Sequence, residues 1–116
     1  MHLVPADRAH RTPIDDHRPC EAIAAIGDPA RVAAWARRFD LLSDPGRLTL
    51  LLAIDSAGPI SVTDLATASG MSDTAVSRAL RLLRTAGLVE PERDGRIVRY
   101  RLADPAIRPL LAAAAS

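Results

Sequence analysis

Seven of the chain's fifteen basic residues fall between Ser72 and Leu102: Arg78, Arg81, Arg84, Arg93, Arg96, Arg99 and Arg101. All fifteen are arginines, and the same stretch sets only Asp73, Glu90, Glu92 and Asp94 against them. A guanidinium donates two hydrogen bonds in a fixed plane, to a guanine edge or to a phosphate, so arginines at helical spacing offer the chemistry of nucleic-acid recognition. A net charge of +1 carries no such message by itself; the clustering does. A second set of donors stands near the N-terminus: His2, His10, His17 and Cys20, with Asp15, Asp16 and Glu21 beside them. Imidazole and thiolate suit nickel, cobalt or zinc, and His17 and Cys20 are spaced to share one face of a helix. His2 can also chelate nickel together with the α-amino group. The bland alternative is a set of solvated side chains, with Cys20 as a small inert residue at a helix start. Catalytic chemistry lacks its parts: all three histidines lie in this segment, and there is no phosphate loop and no nucleophile with a supporting base. The chain reads as a non-enzyme.

The elements that must position these groups follow from composition and period. At 116 residues the chain has room for one core-building domain, and with 48% hydrophobic but 3% aromatic residues that core must come from Leu, Ile, Val and Ala. No apolar run approaches the ~20 residues of a membrane span. Asp7, Arg8 and His10 occupy the place of a signal peptide's apolar stretch, and one cysteine excludes an internal disulfide framework. The expectation is a cytoplasmic protein with no membrane partner. Residues 1–27, interrupted by Pro5, Pro13 and Pro19, read as a flexible tail with a short helical start at Cys20 to Ile26. Residues 28–116 read as the structured domain. Asp28-Pro29 and Ser43-Asp44-Pro45 are helix start signals. The first is followed by Val32, Trp35, Ala36, Phe39 and Leu42 and the second by Leu48, Leu51, Leu52 and Ile54, until Gly58-Pro59 stops the chain. After a short extended stretch at Ile60 and Val62, Thr63 is placed to cap a helix over Asp64 to Ser69, closed by Gly70.

A longer helix, Ser72 to Ala86, turns Val76, Leu80 and Leu83 inward and ends at Gly87. From Leu88 the period becomes two, with Asp94-Gly95 as a hairpin turn, and Asp104-Pro105 opens a last helix. The order is α-α-α-α-β-β-α: a mainly α fold with a small β-hairpin, the parts of a winged helix-turn-helix. In that fold the helix from Ser72 enters the major groove. Ser72, Asp73, Thr74, Ser77, Arg78 and Arg81 are its candidate DNA contacts, and Arg93 and Arg96 at the hairpin tip would hold phosphates. For any single arginine the alternative is a solvated face, and for the whole domain it is a protein-interaction module whose arginine face docks an acidic partner.

Four stretches carry a more specific likeness: LLSDPGRLTLLLAI (Leu41 to Ile54), VTDLA (Val62 to Ala66), GMSDTAVSRALRLLRTAGLV (Gly70 to Val89) and DGRIVRYRLAD (Asp94 to Asp104). In order and spacing they resemble the ArsR/SmtB family of metal- and redox-responsive repressors. The resemblance implies a homodimeric repressor on a pseudo-palindromic double-stranded DNA operator. It also implies an interface between the first and last helices that would use Trp35, Phe39, Ile107, Leu110 and Leu111. Family members sense metal through cysteines at the start of the third helix or an Asp-x-His pair opening the last. Here Ser61 and Thr63 stand at the former and Ala106 replaces the histidine of the latter, leaving Asp104 alone. The candidate metal ligands are therefore His2, His17, Cys20 and Asp104, for a regulatory nickel or zinc ion that folding does not require. The alternative is sensing supplied by an accessory protein.

Overall fold

A computed structural model of the chain describes residues 4–8, 11–12 and 14–115. These form two compact units, Met1–Arg37 and Arg38–Ser116. In the first, helix α1 (Arg18–Ile26) precedes α2 (Pro29–Leu42), whose last turn belongs to the second unit. The Asp28 carboxylate accepts from the Ala30 N–H at 2.9 Å, and the Arg31 guanidinium donates to the carbonyls of Ala25 and Ile26 at 3.1 and 2.9 Å. Arg31 thereby satisfies carbonyls that the end of α1 leaves without helical partners. The predicted helical start at Cys20 thus begins at Arg18, with Pro19 tolerated in its first turn. By compactness the chain divides inside α2, and local hydrogen bonds from Arg31 tie the end of α1 to the first turn of α2.

The second unit runs α3 (Pro45–Ala57), β1 (Ile60–Ser61), α4 (Val62–Ser69), α5 (Asp73–Thr85), β2 (Val89–Asp94), β3 (Ile97–Leu102), a single 3-10 turn (Pro105–Ile107) and α6 (Arg108–Ala114). The predicted order holds, with α1 added and the extended stretch at Ile60 realised as a third strand. The sheet order is β1-β3-β2, all antiparallel. Asp44 accepts from the Arg47 N–H at 3.0 Å and so starts α3. Arg47 in turn donates to the carbonyls of Leu41 and Asp40 at 2.9 and 3.2 Å, which closes α2. The Leu42-Ser43-Asp44-Pro45-Gly46-Arg47 motif is thus a reciprocal corner between two helices. The cap of α4 is Ser61, whose hydroxyl accepts from the Asp64 N–H at 3.2 Å, and not Thr63 as expected. Ser61, already extended as part of β1, lets the helix start at Val62.

Leu50, Leu51, Ile54, Leu65, Val76, Leu80, Leu83, Leu88, Val89, Ile107 and Leu111 form the buried core. The inward stripe expected for α5 is borne out. In α3 the structure also buries Leu50 and leaves Leu48 and Leu52 half-buried. Periodicity could not separate them, because that helix is apolar on most of its surface.

Two glycines set the position of the hairpin. Gly87 takes φ +79°, its N–H donates to Arg84 O, and Leu88 N–H donates to Leu83 O, both at 2.9 Å. This is the Schellman arrangement, with Leu88 and Leu83 as its buried apolar pair. It ends α5 and sends the chain directly into β2. Gly58 needs its missing side chain for a different reason: a Cβ there would come within 2.5 Å of the Ile54 carbonyl oxygen and 3.3 Å of that of Tyr100. At this point the end of α3 lies against β3.

Candidate nucleic-acid interface

The short turn at Gly70-Met71 joins α4 to α5, and the Ser72 hydroxyl accepts from the Ala75 N–H at 3.1 Å to cap α5. Val76, Leu80 and Leu83 anchor the inner side of α5 in the core, so the opposite side is fixed outward. Ser72, Asp73, Thr74, Ser77, Arg78, Arg81 and Arg84 are all exposed on it. Arg78, Arg81 and Arg84 recur at every third residue, which spaces them about 4.5 Å apart along the axis. Asp73 sits in the first turn, where the helix dipole favours a carboxylate and where it can accept from a cytosine amino group.

The hairpin sorts the remaining arginines. In its register Glu90 faces Arg101, Glu92 faces Arg99 and Asp94 faces Ile97 on one side of the sheet, while Val89, Pro91, Val98, Tyr100 and Leu102 share the other with Arg93. Arg101 pairs with Glu90 at 2.5 Å and Arg99 with Asp94 at 3.0 Å. Among the described residues Arg78, Arg81, Arg84, Arg93 and Arg96 make no ion pair or side-chain hydrogen bond. The turn itself is Gly95-Arg96, one residue beyond the expected Asp94-Gly95, because Asp94 still pairs with Ile97. Arg96 therefore occupies the tip of the hairpin.

The remaining candidates are distributed differently. Trp35 is half-buried and Phe39 is 54% exposed on α2, and Leu110 is half-buried on α6. Ile107 and Leu111 are fully buried within the chain. These two side chains thus contribute to the chain's own core. His17 is exposed at the head of α1 and Cys20 half-buried within it, while His2 lies outside the described residues. Asp104 has both oxygens engaged. Oδ2 accepts from Arg38 Nε at 2.8 Å and Oδ1 from the Ala106 N–H at 2.9 Å. Burial alone would raise its pKa. The Arg38 hydrogen bond, the Ala106 N–H and the Arg38 charge outweigh that and hold the carboxyl below the ordinary aspartate value. Among the described residues no three His, Cys, Asp or Glu side chains converge. The sequence offered no sign of Arg38, the residue that engages Asp104.

Helix, turn, outward arginine-bearing helix and basic hairpin together define a winged helix-turn-helix of the DNA-binding class. A family model described as MarR family matches residues 42–97, the stretch from the end of α2 to the hairpin turn, and leaves out the terminal helices. Relatives reach further. The chain is 43% identical over 84 residues to the HTH-type transcriptional regulator NmtR of Mycobacterium tuberculosis, covering 72% of this chain and 69% of that protein. It is 41% identical over 64 residues to the arsenical resistance operon repressor of Escherichia coli, at 55% of each chain. The solution structure of a homodimeric winged helix-turn-helix DNA-binding domain from Mycobacterium bovis superposes with a TM-score of 0.65 at 29% identity, covering 92% of this chain and 86% of that one. The chain belongs to the ArsR/SmtB family of winged-helix transcriptional regulators. Proteins of this kind are regulators and not enzymes. Among the described residues no helix is long and apolar enough to cross a membrane.

Proposed function

We propose that the chain is a cytoplasmic transcriptional repressor that binds a pseudo-palindromic operator as a homodimer, with α5 in the major groove and the β2–β3 tip on the flanking backbone. The sorting of the arginine cluster carries the reading. The two arginines on the hairpin's charged side are neutralised by acids of the same hairpin, while the five on the outer side of α5 and at the tip keep their full donor capacity. In this reading Thr74 and Ser77 approach base edges, Arg78 and Arg81 donate to guanine or phosphate, and Arg93 and Arg96 fix register on phosphates. Ser72 uses its oxygen as the cap and keeps its O–H to donate.

Two-fold symmetry sets the half-sites about one helical turn, or a multiple of it, apart. In this reading the dimer contact uses Trp35, Phe39 and Leu110; the homodimeric Mycobacterium bovis domain supports a dimer as such. The reading includes a regulatory response to a metal such as nickel or zinc; kinship with an arsenical resistance repressor supports an inorganic effector without naming the element. The deciding experiment is fluorescence anisotropy with DNA from the chain's own promoter. A preference over random duplex of about a thousandfold or more, weakening steeply with salt, is expected. Equal affinity for both DNAs would sink the repressor and leave the protein-interaction reading. Repeating the titration with nickel or zinc chloride reads the metal response as a shift in operator affinity.

A further inference from the structure

A pocket of about 340 Å³ opens where the hairpin meets the helices of the second unit, lined in part by the apolar Ile54, Pro59 and Leu102. Four charged side chains complete it: Asp55 from α3, Arg108 from α6, and Glu92 and Arg101 from the hairpin. Their partners are unequal. Arg101 is held by Glu90 at 2.5 Å, whereas Arg108 and Asp55 stand 3.7 Å apart, beyond hydrogen-bond range. Glu92 makes no ion pair among the described residues, because Arg99, opposite it in the sheet, turns to Asp94 instead. One pocket thus presents a carboxylate with no cation and a guanidinium with no hydrogen-bonded anion.

We propose that this pocket binds a small zwitterion of the amino-acid class, its carboxylate on Arg108 and its ammonium on Glu92, and that the bound ligand tunes DNA affinity. Arg108 offers a guanidinium and Glu92 a carboxylate within one pocket, so a ligand that carries both charges can engage both. The planar guanidinium fork suits a carboxylate, and the apolar lining receives a side chain. The volume lies at the small end of ligand pockets. Because Glu92 sits on the hairpin and Arg108 on α6, a ligand spanning them fixes the hairpin against the helices that carry it. The regulatory half rests on the DNA-binding reading above, in which the hairpin tip holds the backbone.

Saturation-transfer NMR on the full chain with pooled proteinogenic L-amino acids at millimolar concentration tests the site without DNA. Transfer to one or more of them, lost in both Glu92→Gln and Arg108→Gln, is expected. No transfer to any amino acid, or transfer undiminished in the two variants, overturns the site. With the responding amino acid added, operator affinity should shift about 5-fold or more. An unchanged operator affinity with the site filled overturns the regulatory half. A chain that binds no operator at all fails the DNA reading instead, and the NMR result distinguishes the two.

Discussion

Asp104 and Arg38 form the least exposed ion pair among the described residues, at 19% and 27% side-chain exposure, and the carboxylate also caps the turn that leads into α6. Since the folded-state pKa is lowered, the contribution to stability is complete above the unfolded value of about 3.9 and is lost as pH falls through the folded value. Asp104→Asn should therefore cost about 2 kcal/mol at neutral pH. In urea melts the gap between variant and wild type should narrow toward pH 3; a gap independent of pH would remove the ion pair as its cause. Arginines on the two parts of the proposed interface should fail differently. Arg78→Ala, on α5, should cost operator binding about 1–3 kcal/mol and relax preference at one base pair. Arg93→Ala, near the tip, should weaken operator and random DNA alike and flatten the salt slope by about one. Equal loss of specificity in both variants would mean that the hairpin reads bases too.

At the level of elements, the joints are more informative than the helices. Asp44 and Arg47 each close the other's helix, and Gly87 with Leu88 turns α5 into β2 within two residues. Gly58 is the tightest of these joints, since a methyl group there meets the Ile54 carbonyl at 2.5 Å, and neither backbone can move without shifting α3 from β3. Gly58→Ala is expected to destabilise the fold by about 1–3 kcal/mol, read from the denaturation midpoint. A neutral result would show that the α3 end relaxes freely. The elements themselves were legible because their signals are local: a proline after an acidic or hydroxyl cap, and a three-four apolar stripe closed by glycine. The cap of α4 was misplaced because Ser61 and Thr63 both carry hydroxyls, and pairing of β1 with β3 decides between them.

For the whole molecule, the proposed dimer concentrates on α2. Phe39 is a large side chain 54% exposed on that helix, while Ile107 and Leu111 at the C-terminal end of the chain are buried in the core and Leu110 is half-buried. Phe39→Asp should raise the dimer dissociation constant about tenfold or more in sedimentation equilibrium, with the circular dichroism of the fold retained. An unchanged constant would move the interface elsewhere. The sequence by itself determined the helix-turn-helix, the inward side of α5 and the basic hairpin, because caps, turns and periodicity act over a few neighbouring residues. Tertiary structure decided which arginines are neutralised, which apolar residues of the last helix are consumed by the core, and that Asp104 is committed to Arg38, 66 residues away. Those outcomes depend on which distant segments pack together, and a carboxylate or guanidinium takes its role from the partner that packing brings within about 3 Å.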